Sequence, residues 1–453
     1  MPNAAKKTTP AQKTIRDISD GCFDGTLDIA SPEYHPVNGR LMYGEEVADR
    51  IFVFQSCATI NVIDTGAGLV MLDTGRYADR EPLFKAVRAW RPNTPLVAAV
   101  FSHHHLDHIF GTKPFEEEAK KRGWPQPVVY AHENLAANFE RYKLTAGWQT
   151  AINRRQLPGD DIFEISKGDT FPTDFRYADI TFGDRMVLKV GDITFDMRHV
   201  VGETDDHIYT WMPELKALHP GDQFIWAVPN AGNPQKIQRY AREWAQSLRE
   251  MATLDPELLL SGHGYPIFGG DKVQKALGAH AELLESLEEQ TLALMNRGVS
   301  LDEVIHTVKV PEHLRNLPYM QPVYDLPEFI VRAVWRRYGG WWTRNYEELL
   351  PAPRAQQAAE WIGLAGGASA VLARIEKLRK AGDLRMACHL IEMAVIAEPS
   401  EKVFDVRSAL WEARAKEQTG TIVHNVMMHA SYASRARRID MAAEDAGLSL
   451  ATS

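Results

Sequence analysis

The sequence predicts an α+β protein: a mixed strand-and-helix part over roughly the first 270 residues, then an all-helical part. Three observations predict it. Short apolar runs at 95–101, 193–197 and 258–260 read as strands, and polar, glycine-bearing turns follow in each case. The most polar of these turns is Ser102-His103-His104-His105-Leu106-Asp107-His108. Beyond Gly270, apolar residues recur at roughly helical spacing, over 279–296 and again at 386–399 and 403–418.

The run after 95–101 places four potential metal ligands in H-x-H-x-D-H order. Neutral imidazole and carboxylate together form a ligand set for first-row transition metals, with zinc the commonest occupant. A polar turn with adventitious histidines is the alternative, and the context disfavours it. Ligands to a metal pair must converge from several loops, and three further candidates follow at later strand ends. Gly202-Glu203-Thr204 follows 193–197, Gly221-Asp222 follows the stretch around 216–218, and Gly262-His263-Gly264 follows 258–260. Glycine beside each lets the backbone turn tightly and approach a ligand.

This order of motifs resembles the metallo-β-lactamase superfamily of binuclear metallohydrolases, over about residues 49–270. An early hairpin, Ile60-Asn61-Val62-Ile63 then Gly68 to Leu72, leads into the Asp73-Thr74-Gly75 turn of that family. The resemblance implies an αββα sandwich. It implies one metal position held by His103, His105 and Glu203, a second held by Asp107, His108 and His263, and Asp222 bridging them. Asp73 would orient a ligand histidine by accepting its free N–H. Two Zn2+ ions are the implied cofactors, with Mn or Fe as alternatives. Glu203 stands where most of the superfamily has histidine, but carboxylate oxygen binds zinc at a similar distance to imidazole nitrogen. His199 and His207 flank that turn as rivals for the role. His104, which the pattern skips, is expected to point away from the metals. The implied reaction is hydrolysis of an ester-like bond by a metal-bridging hydroxide. Asp107 and Asp222 are the candidate catalytic carboxylates, Asp107 orienting the nucleophile or relaying a proton.

The helical part resembles the dimerisation region of the metallo-β-lactamase-type alkylsulfatases, over about 312–418. The matching elements are Tyr338-Gly339-Gly340-Trp341, Gly366-Gly367, and Ala387-Cys388-His389-Leu390 through Ala397-Glu398-Pro399. The resemblance implies a homodimer or higher homo-oligomer, two-fold symmetry being the commonest, and an alkyl or aryl sulfate ester as substrate. It divides the chain into an N-terminal arm (1–45), a catalytic domain (46–270), a helical connection (271–345) and a dimerisation domain (346–453). A further sterol-carrier-like domain of the larger alkylsulfatases is expected to be absent. Two departures bear on the substrate. The bridging acid is Asp222 where those enzymes use glutamate, and the arginine that helps bind sulfate falls on Gln235. Asn230, Lys236 and Arg239 are the candidate substrate residues. The Gln235 departure keeps a carboxylic ester, lactone or activated ether hydrolase open at the same dinuclear site. Remoter alternatives are an iron redox protein and an inactive interaction scaffold. Between the ligand clusters, 135–166 reads as an insertion over the metals, with Tyr142, Trp148, Arg154 and Arg155 as candidate pocket residues. The tryptophan-rich stretch 335–342 reads as core or interface.

Composition fits a small-molecule enzyme of the cytoplasm. The chain has 453 residues and a net charge of −9, so no basic footprint argues for nucleic acid. Cys22, Cys57 and Cys388 are too far apart for a zinc knuckle or a disulfide framework, and buried thiols are expected. No apolar run approaches a membrane span, and residues 1–17 lack the apolar core of a secretory signal.

Overall fold

The computed structural model describes residues 13–39, 41–157 and 171–444. Part of the expected N-terminal arm (1–12), part of the expected insertion (158–166) and the end of the expected dimerisation domain (445–453) lie outside the described residues.

Among the described residues, thirteen strands form two sheets. The first contains β1 (Tyr43–Ala48), β2 (Ile51–Gln55), β3 (Thr59–Asp64), β4 (Leu69–Leu72), β5 (Leu96–Val100), β6 (Val128–His132) and β7 (Ile180–Phe182), in that spatial order. The second contains β8 (Arg185–Val190), β9 (Ile193–Val200), β10 (His207–Met212), β11 (Ala217–Ile225), β12 (Leu258–His263) and β13 (Ile267–Phe268). Pairing is antiparallel from β1 to β4 and parallel from β4 to β7. In the second sheet it is antiparallel except between β11 and β12.

Side-chain alternation along the strands builds three layers of core. On β2, Ile51 and Val53 face the partner sheet while Phe52 and Phe54 face the helices. On β4, Val70 and Leu72 take the first role and Leu69 and Met71 the second. The inter-sheet layer is completed by Ile193, Phe195, Met197, Ile208 and Leu260. Leu83 and Val87 from the helix Arg80–Trp90, and Phe115 from the helix Lys113–Arg122, cover the outside of the first sheet. Trp244 and Leu248 from Ala241–Ala252, and Val273, Leu277 and Leu284 from Gly270–Asn296, cover the outside of the second. The strands β5, β9 and β12 are largely buried on both faces, which is why the runs read from sequence are nearly continuous in apolar residues, whereas the edge strands β1 and β8 are partly exposed. The result is the expected αββα sandwich followed by helices.

The helices after Asn296 divide in two. Leu301, Val304, Ile330, Val331, Val334 and Trp335 share one core with the second sheet. Ile362, Val371, Ile375, Ile391, Val395 and Leu410 form a separate cluster. The tryptophan-rich stretch splits accordingly: Trp335 is buried, whereas Trp341 is 69% exposed. The helix Thr421–Arg435 returns to the sandwich and packs on the helix Ala146–Gln156, where Asn425 Nδ2 donates to the Gln156 carbonyl at 2.7 Å. No helix among the described residues is long and apolar enough to cross a membrane.

Candidate metal centre

The site lies where β4, β5, β11 and β12 end together. The Asp73-Thr74-Gly75 turn clamps both ends of the histidine-rich loop. Asp73, held at φ +56°, accepts the Ser102 N–H at 2.7 Å and its hydroxyl at 2.9 Å. Thr74 donates its N–H to the His108 carbonyl at 2.7 Å and its hydroxyl to the same oxygen at 3.0 Å. A second constraint acts at β11. A Cβ on Gly221, at φ +53°, would stand 2.6 Å from His207 Cε1 and 2.7 Å from Ser102 Cβ. Glycine is therefore required there for Asp222 to reach the loop.

Seven sequence-selected side chains converge. His103 Nε2 lies 2.8 Å from His105 Nδ1 and 3.8 Å from Asp222 Oδ2, and His105 Nδ1 lies 3.9 Å from Glu203 Oε1. On the other side, His108 Nε2 is 3.4 Å from Asp222 Oδ1 and 3.8 Å from Asp107 Oδ2. His263 Nε2 is 3.3 Å from both Asp107 Oδ2 and Asp222 Oδ2. Asp222 thus faces both groups. His103, His105, Glu203 and Asp222 form one set of candidate ligand atoms, and His108, Asp222 and His263 another.

The donor chemistry fits cations. His108 Nδ1–H donates to Asp73 at 2.8 Å, and His263 Nδ1–H donates to the Cys57 carbonyl at 2.5 Å. With Nδ1 committed to these acceptors, both Nε2 atoms face carboxylate oxygens, an arrangement that calls for a positive charge between them, either a proton on the ring or a bound cation. His108 Nε2, Glu203 Oε2 and Asp222 Oδ1 are buried without a hydrogen-bond partner among the described residues, which is costly unless something else is coordinated. The two histidine pairs differ electrostatically. Burial, then the neighbouring imidazoles, hold His103 and His105 well below the ordinary imidazole range. Burial acts the same way on His108 and His263, but Asp222 and Asp107 override it and hold both well above that range. Burial raises the Glu203 carboxyl, and the adjacent Asp222 raises it further against the pull of Arg239.

The surroundings sort the other predicted residues. His199 stacks on His132 at 3.8 Å between ring centroids, outside both ligand sets. His207 lies under His103, and its Nε2 accepts the Asp222 N–H at 3.1 Å. Neither rival takes the place of Glu203. His104 points away: its Nδ1 pairs with Asp206 at 2.8 Å and its Nε2 accepts from Arg141 at 3.0 Å. Asn230 and Arg239, expected to face substrate, line the smaller cavity and are also engaged with Glu203. Asn230 Nδ2 donates to Glu203 Oε1 at 2.8 Å, and the Arg239 guanidinium bonds the same oxygen and the Asn230 carbonyl. Lys236 is a second cation over the site, its ammonium 3.5 Å from Gln149 Oε1. Burial, reinforced by Arg239 and Arg141, lowers Lys236 to about 8.

Two cavities meet at this cation. A small one of about 70 Å³ lies over Asp107, Glu203, Asp222 and His263. A larger one of about 380 Å³ adjoins it, with His105, Tyr142, Glu203, Lys236 and Arg239 common to both. Arg141, Arg336 and Gln235 line the larger cavity, as do the exposed side chains of Trp148 and Ile237. Of the insertion residues, Tyr142 is buried in the shared wall, while Arg155 turns away to Asp440 at 2.7 Å and Arg154 lines neither cavity. Sequence reading missed Cys57 and His219, whose Nε2 lies 3.5 Å from Asp73. Cys57 reaches the site from a turn that carries no ligand motif, and His219 from β11, three residues before Asp222.

The sequence model of the metallo-β-lactamase superfamily matches residues 58–263, and that of alkyl sulfatase dimerisation matches 300–441. An (R)-specific secondary-alkylsulfatase of Pseudomonas sp. is 28% identical over 406 residues, which cover 84% of this chain and 60% of that one. The 2,4-dinitroanisole O-demethylase subunit alpha of Nocardioides sp. (strain JS1661) is 22% identical over 357 residues, covering 74% of this chain and 92% of that one. Among solved structures, the inverting sec-alkylsulfatase Pisa1 of Pseudomonas sp. superposes with a TM-score of 0.77 at 24% identity, over 87% of this chain and 65% of that one. The chain thus spans about three fifths of the length of the secondary alkylsulfatase it matches. With both family regions present in the order the fold requires, the chain is an alkylsulfatase-like member of the metallo-β-lactamase superfamily.

Proposed function

We propose that this protein is a metal-dependent hydrolase that cleaves alkyl or aryl sulfate esters. The observation that carries the reading is the convergence of seven donor groups, five of them buried and His105 and Asp107 partly open to the smaller cavity, beneath the Lys236 ammonium. Two zinc ions held by His103, His105 and Glu203, and by Asp107, His108 and His263, with Asp222 between them, would supply a nucleophilic hydroxide at neutral pH and Lewis acidity toward the ester.

The chain's own groups do the rest. Asp107 faces the smaller cavity, where its free carboxylate oxygen can hold or pass on a proton of the attacking water. Lys236 meets the sulfate charge, and Arg141 and Arg336 attract an anion into the larger cavity before it arrives. Trp148 and Ile237 offer apolar surface for the organic group. Arg239 and Asn230 hold Glu203 in place and keep its charge compensated. A homodimer built through the region matched to alkyl sulfatase dimerisation completes the reading.

A second reading keeps the site and changes the bond. Gln235 lines the larger cavity at the position where the alkylsulfatase pattern has arginine, and a relative of similar length is a 2,4-dinitroanisole O-demethylase subunit. An activated aryl ether is therefore the alternative substrate class. The discriminating experiment compares inorganic sulfate release from dodecyl sulfate, a secondary alkyl sulfate and an aryl sulfate with phenolate release from a nitro-activated anisole. Zinc-loaded protein is used, with Asp222→Ala as control. Sulfate release lost in the variant establishes the first reading. Phenolate release without sulfate release replaces it with the second.

A further inference from the structure

Cys57 lies in the turn between β2 and β3, a part of the sequence with no ligand motif. It does two things there. Its carbonyl accepts the His263 Nδ1–H at 2.5 Å, which aims His263 Nε2 into the site. Its Sγ lies 3.9 Å from Asp107 Oδ2. The ligand-capable atoms of Cys57, Asp107 and His263 all fall within 4.8 Å of one another. The residue is 3% exposed.

These distances suit shared coordination. Sulfur at about 2.3 Å and oxygen at about 2.0 Å from one zinc stand about 3.5 Å apart when the angle between them is about 110°. A second observation points the same way. His108 Nε2, fully buried and without a hydrogen-bond partner among the described residues, is aimed at Asp107 and Asp222 on the same side.

We propose that Cys57 is a thiolate ligand of the cation position formed by Asp107, His108 and His263, giving that position a sulfur donor which the other lacks. On binding, the S–H proton passes to solvent and the sulfur lone pair forms the bond to the cation. A soft donor favours zinc, or cobalt as a substitute, over manganese at this position. The inference rests on the metal-centre reading above and goes beyond it.

Cobalt(II) is the test ion, because thiolate ligation gives a near-ultraviolet sulfur-to-cobalt charge-transfer band that nitrogen and oxygen ligands do not. Full-length protein is titrated with cobalt, and bound metal is measured in parallel. The expected result is a charge-transfer band that grows with one of two equivalents. It persists when Cys22 and Cys388 are both changed to serine and disappears in Cys57→Ser, where that equivalent binds at least about tenfold more weakly. Two bound cobalt ions without the band in the unmutated protein overturn the Cys57 assignment alone, so the outcome does not depend on whether Cys57→Ser folds. A band that survives in Cys57→Ser or Cys57→Ala overturns it as well. Failure to bind cobalt overturns the metal-centre reading and the Cys57 assignment with it.

Discussion

The two halves of the centre are held by different means. His108 and His263 are fixed from behind by the Asp73 carboxylate and a backbone carbonyl respectively, and both imidazoles face Asp107 and Asp222. His103 and His105 are held well below the ordinary range, and the carboxylate that completes their set is tied by a buried arginine. One half is negative enough to draw in a cation. In the other, Arg239 lies against Glu203 and offsets part of its charge. The difference teaches that the second sphere, not ligand identity alone, divides the work between the two positions.

The comparison can be broken most severely at the residue the halves share. Asp222→Ala should reduce turnover to background and lower binding at both positions, as measured by kinetics and metal analysis. Asp73→Asn attacks one half more than the other. It weakens the acceptor that orients His108, and losses of this kind cost about 10–100-fold in metal affinity or activity, while the His103 side feels it only through Ser102. Metal titration should show one equivalent weakened more than the other. Arg239→Gln attacks the opposite half. Breaking a buried ion pair costs about 3–5 kcal/mol, and thermal unfolding should show that loss in metal-free protein and a smaller one once zinc compensates Glu203. Lys236 sharpens the comparison through pH. With the ammonium lowered to about 8, its positive charge is present below that pH and is lost as pH rises through it. KM for a sulfate ester should therefore climb between pH 7 and 9 with less change in kcat, and Lys236→Met should flatten the climb at a high KM. The smallest effect belongs to His104→Ala. It releases Arg141 but no candidate ligand, so metal content should stay intact while KM rises modestly.

Much of this was legible because local chemistry encodes it. The spacing of His103, His105, Asp107 and His108 places the ligands on one loop, and glycines beside Glu203, Asp222 and His263 mark turns that must approach it. Asp73 was legible for the same reason, as part of an Asp-Thr-Gly turn. What was hidden depends on long-range contact. Arg239 meets Glu203 across 36 residues, and the Cys57 carbonyl meets His263 across 206. No local spacing records either pairing. Asn230 and Arg239 carried the chemistry of anion binders, and only the fold shows that the anion they meet is the protein's own carboxylate. His104 turns away from the candidate ligand atoms, and its link to Asp206 and Arg141 needed the helix Leu135–Leu144 to be placed against the loop.

The central claim is that seven convergent side chains form one binuclear hydrolytic centre bridged by Asp222. The most direct measurement is metal content and sulfate release on the same preparations of unmutated protein and Asp222→Ala. Two metal equivalents with sulfate release in the first, and fewer than two with no release in the second, are the predicted results. Full metal occupancy with undiminished sulfate release in Asp222→Ala would contradict the account.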